Sequence, residues 1–179
     1  EAGNIKNAVP FLHQDPDSDE ILGQCEESGR DQGHATLCVS LMGAFCQMAY
    51  SIGEDLFAFD NYRAVAMAEY VGKYNLIKDE AFNKGTLVGD DFVYDSNSFP
   101  YTSYSNPSYT NTTISTDQRG TKRPAWELFY GYCKAKGISS IYSGKWAEQM
   151  RPDGGGGNYG PNSGGFDQLG FGTLMYYRE

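Results

Sequence analysis

Between Gln32 and Ile52 the chain is apolar almost all the way round a helix. Leu37, Cys38, Val39, Leu41, Met42, Ala44, Phe45, Cys46, Met48 and Ala49 cover most of the circumference. Only a narrow seam escapes: Thr36, Ser40, Gly43, Gln47 and Ser51, which fall at i, i+4, i+7, i+11 and i+15. A helix apolar on most faces is normally surrounded by protein. The segment therefore predicts a nearly fully buried helix, closed by Gly53 as the residue after its C-cap.

Other helices should pack around it. Asn61–Asn75 reads as a second helix with Asp60 as N-cap, and it places Arg63, Met67, Tyr70 and Tyr74 on one face. That face carries a cation and two phenols, so it is not a simple core stripe. Pro124–Lys136 reads as a third, with Pro124 in the first turn and Gly137 past the end; Ser140–Met150 reads as a fourth, with Tyr142, Trp146 and Met150 aligned. Residues 1–24 read as irregular and acidic, with turn residues at Asp15-Pro16-Asp17-Ser18-Asp19. Residues 76–122 form a long polar connection, a length that is usually functional or disordered. Its tyrosines, among them Tyr94, Tyr101, Tyr104 and Tyr109, argue against plain disorder, and short strands are expected within it. Gly154–Gly157 interrupt the chain before an apolar, glycine-rich tail at 165–174. Helical hairpins joined by long loops suit an all-α architecture, and residues 1–179 read as one domain.

Charge excludes some functions. With 23 carboxylates against 14 Lys and Arg and a net charge of -9, no basic stripe exists for nucleic acid. No apolar run approaches the ~18 residues of a membrane span. Cys38 and Cys46 read as buried free thiols, while a Cys25–Cys133 pairing is left open. His34 and Cys38 have i, i+4 spacing, but no second pair of ligands supports a metal site.

The densest polar cluster, Glu27-Ser28-Gly29-Arg30-Asp31-Gln32-Gly33-His34, directly precedes the most apolar helix. Polar groups there must be hydrogen-bonded or face a cavity, and a helix N-terminus favours negative charge. A substrate carboxylate docking beside Arg30 and Gln32 is one reading. The other makes Asp31 a helix cap, Arg30 the partner of Glu26 or Glu27, and His34 a satisfied core histidine.

This cluster resembles the Gly-Arg-Asp-Gln-x-His signature of alginate-lyase-like domains in bacterial proteins. The resemblance continues in Gly53-Glu-Asp-Leu56, Asn61-Tyr-Arg63, Glu69-Tyr70, Lys73-Tyr-Asn75, Arg123-Pro-Ala-Trp-Glu127 and Gly170-Phe-Gly-Thr-Leu174, spanning roughly residues 22–174. It implies an (α/α) toroid whose inner helices line a sugar-binding canyon, a periplasmic or secreted location, and no metal or cofactor. Such toroids are usually about twice this length. The chain is therefore expected to be a C-terminal part, an incomplete toroid whose other half is elsewhere, supplied as a separate chain or compensated by self-association. The implied activity is a polysaccharide lyase that cleaves an acidic, uronate-containing glycan by β-elimination. Such an enzyme must neutralise the carboxylate, remove the C5 proton and protonate the leaving oxygen. His34 is the expected base or neutraliser, Tyr70 the base or acid with Tyr74 as substitute, and Arg63 the holder of a phenolate or carboxylate. Arg30, Gln32, Arg119 and Trp126 are the expected substrate-binding residues. Packing of the tyrosines between helices, and a salt bridge of Arg63 to Asp60 or Glu69, are the competing structural roles. Two rival functions share the residues: a glycoside hydrolase using Asp31 with Glu127, and a non-catalytic glycan-binding or scaffold domain. Antiparallel neighbours joined by the link 53–60 should bring His34 towards Tyr70 and Tyr74, with Arg63 deeper.

Overall fold

The computed structural model describes residues 3–106 and 109–150. In chain order they form α1 (Gly3–Ala8), a hairpin of β1 (Phe11–Gln14) and β2 (Ile21–Gln24), α2 (Gln32–Ser51), α3 (Phe59–Asn75), a second hairpin of β3 (Tyr104–Asn106) and β4 (Tyr109–Asn111), α4 (Trp126–Lys136) and α5 (Ile141–Met150). Both hairpins are antiparallel. About half of the structure is helical, and two small antiparallel hairpins give it a mixed α/β margin; the second falls where short strands are expected, and the first does not. Residues 1–24 are a correction: α1 and the first hairpin occupy most of what reads as irregular. The tail expected at 165–174 lies outside the described residues.

α3 is the axis. From Ala64 to Asn75 every residue is buried, with β2 along one side, α2 and α5 on others, and α4 beyond. Its middle carries groups that fasten these neighbours. Both carboxylate oxygens of Glu69 accept backbone N–H groups at the start of α5, from Ser143 at 3.0 Å and Tyr142 at 2.8 Å. The helix N-terminus is thus capped by a side chain from another helix. Lys73, 1% exposed, binds Asp15 and reaches Asp17 at 2.7 Å, so the acidic turn between β1 and β2 folds around an ammonium group. The rings of Tyr94 and Tyr142 lie 4.5 and 5.2 Å from that nitrogen, and the Tyr142 hydroxyl donates to Asp15 at 2.6 Å. Burial pushes the Asp15 carboxyl up, but the bonds from Lys73 and Tyr142 outweigh it and hold it below its ordinary value.

The start of α3 also departs from expectation. Asp60, Asn61 and Tyr62 are left-handed, with φ of 50, 56 and 62°, a conformation that costs about 1–2 kcal/mol per residue. Asp60 is not an N-cap. It pairs with Lys6 and Arg63, and Arg63 continues to the Val9 carbonyl at 2.6 Å. The left-handed turn lets these residues tie α1 and the first hairpin to α3.

The largest correction concerns α2. It is not enclosed, and the first part of the seam faces inward together with Ala35, Val39 and Cys46 while the larger apolar side chains face out. Thr36, Ser40 and Gly43 are buried, whereas Leu41, Phe45, Met48 and Ile52 are 40–82% exposed. Small side chains let helices approach closely: a Cβ on Gly43 would stand 2.9 Å from the Phe129 ring and 3.0 Å from Leu128 on α4. The seam hydroxyls satisfy themselves within the helix, Thr36 on Gln32 O at 2.9 Å and Ser40 on Thr36 O at 3.1 Å. The exposed residues form one stripe along a helix without a single Asp, Glu, Lys or Arg.

α4 and α5 form where the periodicity predicts. Gly137, at φ 68°, ends α4 in the left-handed conformation that glycine adopts without strain. The two helices meet through Trp126 and Trp146, stacked at 5.1 Å, and the Trp146 indole N–H donates to Gly72 O at 2.9 Å. Between α3 and α4, residues 76–122 contain two short 3-10 turns, Asp79–Ala81 and Gly89–Asp91, besides the second hairpin. All four cysteines are free, so Cys25 and Cys133 do not pair, and Cys38 is only half-buried.

The inverted seam predicts an asymmetry. Gly43→Val should cost about 2 kcal/mol through overpacking against α4, whereas Leu41→Gln should change stability by no more than ~0.5 kcal/mol. Urea unfolding of the two variants measures this, and the opposite order would put the seam outside. Glu69 predicts a pH dependence. Burial raises its pKa from 4.5 to about 7, against the hydrogen bonds from Ser143 and Tyr142 that favour the carboxylate. The unfolded chain releases this proton near 4.5 and the folded chain retains it to about 7. The contribution is therefore complete at low pH and lost as pH rises through that window, by at most about 3 kcal/mol. The stability of the wild type minus that of Glu69→Gln should fall across the window; a flat difference would remove Glu69 as the source.

Candidate functional site

The residue before α2 organises the polar cluster. Asp31 is extended, with φ −165° and ψ 161°, and caps the helix: one carboxylate oxygen accepts the His34 N–H at 2.8 Å. Its other oxygen meets His34 Nδ1 at 2.6 Å. One carboxylate thus caps a helix and orients an imidazole, because the capping geometry brings the residue three positions on against the cap. An acceptor-only carboxylate there places a ring proton on Nδ1 and turns the Nε2 edge away from Asp31. The His34 side chain is 41% exposed. It is therefore not a core histidine but an imidazole oriented by Asp31 and partly open to solvent. Arg30 is exposed beside it, 3.3 Å from Glu27 and 3.7 Å from Asp31. The capping role of Asp31 and the Arg30–Glu27 pair coexist with a chemically usable histidine.

Gln32 faces the other way. Its amide N–H group donates to Ser28 O and Ser115 O, both at 3.0 Å, and its oxygen accepts from Asn75 at 2.9 Å. Asn75 in turn donates to Val71 O and accepts the Gly120 N–H, each at 2.9 Å. The start of α2 therefore meets the end of α3, as expected for antiparallel neighbours. Gln32 itself is buried and fully engaged inside the chain.

The remaining expected site residues occupy structural positions. Tyr70 is fully buried; its hydroxyl donates to Pro100 O at 2.8 Å, its ring packs on Phe99, and burial pushes its pKa well above the ordinary value. Tyr74 is buried against Phe99 and the Arg119 guanidinium. Burial raises its pKa and Arg119 opposes the rise. Ser96 faces the phenol, yet no bond of ordinary geometry forms there. Arg119 is clamped between the Tyr74 and Phe92 rings, each 4.1 Å from it, and donates to Tyr74 O and Tyr94 O. Trp126 is a core residue, 1% exposed. Arg63 lies at the far end of α3 from Tyr74. Of the arginines suited to a cationic cleft, Arg63 and Arg119 are half-buried, Arg123 is buried and Arg30 is exposed.

His34 lies on the stripe of Leu41, Phe45, Met48 and Ile52, at the end where the helix begins, while Tyr70 and Tyr74 lie inside. Helix ends meet as the antiparallel geometry requires, but the phenols and the imidazole do not face one open cleft. A second histidine lies nearer to Tyr70. His13 on β1 stacks on that ring at 6.0 Å, and its Nε2 contacts Gln24 Oε1 at 2.9 Å. Sequence reasoning missed it because β1 is only four residues long, too short for its alternation to register. Gln24 then binds both backbone groups of Thr102 at 2.7 Å, bringing the long connection over β2.

Asp31 has both oxygens engaged and Glu127 is buried, so these two carboxylates do not form the open acid/base pair of a hydrolase. Among the described residues, no three His, Cys, Asp or Glu side chains gather to hold a metal ion, and no helix is long and apolar enough to cross a membrane. A groove of about 630 Å³ lies between α5 and the segment after α3, lined by Leu76, Ile77, Lys78, Val93, Lys145 and Gln149 among others, and includes none of the His34 cluster.

Compared with known proteins, the chain matches no family model, no curated protein and no solved structure. The chemistry at the start of α2 therefore carries the functional reading.

Proposed function

We propose that the chain belongs to an alginate-lyase-like (α/α) toroid and supplies the basic residue of a polysaccharide lyase acting on an acidic, uronate-containing glycan. The observation that carries this reading is the Asp31–His34 pair: a carboxylate-oriented imidazole whose side chain is 41% exposed, beside the exposed Arg30. The motif resemblance around these residues supports it. A uronate carboxylate set against Arg30 makes the C5 proton more acidic. His34 Nε2 removes that proton, the C–H electrons form the C4–C5 double bond, and the C4–O bond breaks. The leaving oxygen takes a proton from a second group. Tyr70 and Tyr74, the phenols expected for that role, are fully buried and do not share a cleft with His34, so the second group is a different one.

The toroid reading accounts for the exposed stripe on α2. Helices of the remaining toroid, whether in a longer protein or in a separate chain, would cover Leu41, Phe45, Met48 and Ile52 and form the opposite wall of the canyon at His34. The periplasmic or secreted setting belongs to the same proposal.

Asp31→Asn separates chemistry from folding. Asparagine caps a helix as well as aspartate does, so stability should stay nearly constant. The imidazole loses its anionic partner, and turnover should fall by at least ~10²-fold. The assay is ultraviolet absorbance of the unsaturated uronate product, with alginate and glucuronan as substrates. Reducing ends without that absorbance would show a hydrolase, and glycan binding without either signal a scaffold. The stripe predicts that the isolated chain self-associates in light scattering and that Leu41→Glu with Met48→Glu reverses it. A wild-type chain monomeric at every concentration would argue against the incomplete-toroid reading.

A further inference from the structure

Gln118 stands out in the long connection because its neighbours and its own backbone are fixed while its side chain is exposed. Before it, the Asp117 carbonyl accepts the Gln32 N–H at 2.8 Å. After it, Arg119 is clamped between Tyr74 and Phe92 and bonded to two carbonyls. The Gln118 carbonyl is itself held by Thr121, from Oγ1 at 2.7 Å and from N at 3.2 Å. Between these anchors the backbone of Gln118 is forced to φ 55°, which a non-glycine residue adopts at a cost.

The side chain is placed with equal definition. Its amide rests on Gly33, and a Cβ built on Gly33 would fall inside it; Asp31 Oδ1 is 3.2 Å from the same point. Gly33 is thus required for the amide to lie on the same side of the helix start as Asp31, the residue that orients His34. The oxygen end is the one against Gly33, so the two N–H donors are left for something else. The residue is exposed, and its amide is not hydrogen-bonded within the described residues. The contrast with Gln24, Gln32 and Asn75 is chemical: those amides have donors and acceptors engaged inside the chain, whereas this one is held in place and left open.

We propose that Gln118 is a substrate-binding residue whose amide donates to the carboxylate of the uronate presented to His34. This rests on the lyase reading and assigns it a carboxylate-binding donor, a role in which Arg30 alone would otherwise act from a flexible side chain already shared with Glu27. A neutral amide suits the place. It favours the carboxylate through two polarised N–H bonds without adding a cation that would pair with Asp31 and pull that carboxylate from His34.

Isothermal titration of the full 179-residue chain tests it, using a hexauronate and the same oligosaccharide with its carboxyls reduced to alcohols. Gln118→Gly removes the amide and relieves the left-handed backbone, so its thermal midpoint should equal or exceed that of the wild type. Its affinity for the hexauronate should fall about tenfold, the loss of a hydrogen bond to a charged group, and its affinity for the reduced sugar should not change. Gln118→Glu should bind the hexauronate more weakly still. Wild-type-like hexauronate binding in a stable Gln118→Gly would overturn the assignment and leave the lyase reading standing. An equal loss for both sugars would show a general contact and overturn carboxylate recognition. A wild-type chain that binds neither sugar would overturn both.

Discussion

A single buried contact, Gln32 to Asn75, joins the parts on which the rest depends. Gln32 begins α2 and Asn75 ends α3, so their amide pair at 2.9 Å sets the two helices in register. The same two side chains bind Ser28, Ser115 and Gly120, so they also hold the return of a connection more than forty residues long. Irregular backbone has unmatched N–H and C=O groups that cannot be buried without partners. Side-chain amides supply a donor and an acceptor on one rigid plane, and Gln24 does for Thr102 what Gln32 and Asn75 do further along. The polar connection is therefore part of the folded body, fixed by amides projecting from regular elements.

The same logic applies to the other buried polar residues of α3 and to the segment before α2. Glu69 caps α5, Lys73 holds the Asp15 turn, Asn75 secures the connection and Gln32 pairs with it. Each is a polar residue whose burial is tolerable because its partners are complete. Of the Gly-Arg-Asp-Gln-x-His segment, only Arg30 and His34 extend to solvent, and Asp31 links the two worlds by capping α2 and orienting the imidazole. Apolar packing and polar wiring thus converge on one helix start, which is why an exposed base there can be held in a defined orientation.

α2 shows how a strong sequence pattern can carry the right element and the wrong inside. Its length and apolar content define a helix, but the inward face is decided by how near another helix can come. Gly43, Ser40 and Thr36 permit close approach to α3 and α4, and the larger side chains are left outward. Periodicity ranks hydrophobicity and does not rank closeness. A seam of small residues therefore reads as a polar escape when it is the contact itself. The face left outward runs along the helix to His34.

From the sequence alone came the helices of 32–52, 61–75, 124–136 and 140–150 to within a few residues, because turn-by-turn periodicity and Gly137 act locally; Pro124 lies just before α4 and not at its first position. The polar cluster before α2 was equally legible, since all eight of its residues are polar or glycine and precede an apolar run. What only the tertiary structure decided is where each polar side chain goes. Arg119 and Tyr74 could have faced a sugar, yet they stack on each other beneath the connection; Trp126 could have been a sugar platform, yet it packs on Trp146; Gln118, with no local signal at all, is brought against Gly33 by anchors far along the chain. Local spacing fixes which residues share a face of an element, but the partner of a buried polar group is set by contacts across forty residues or more, and no local pattern encodes those.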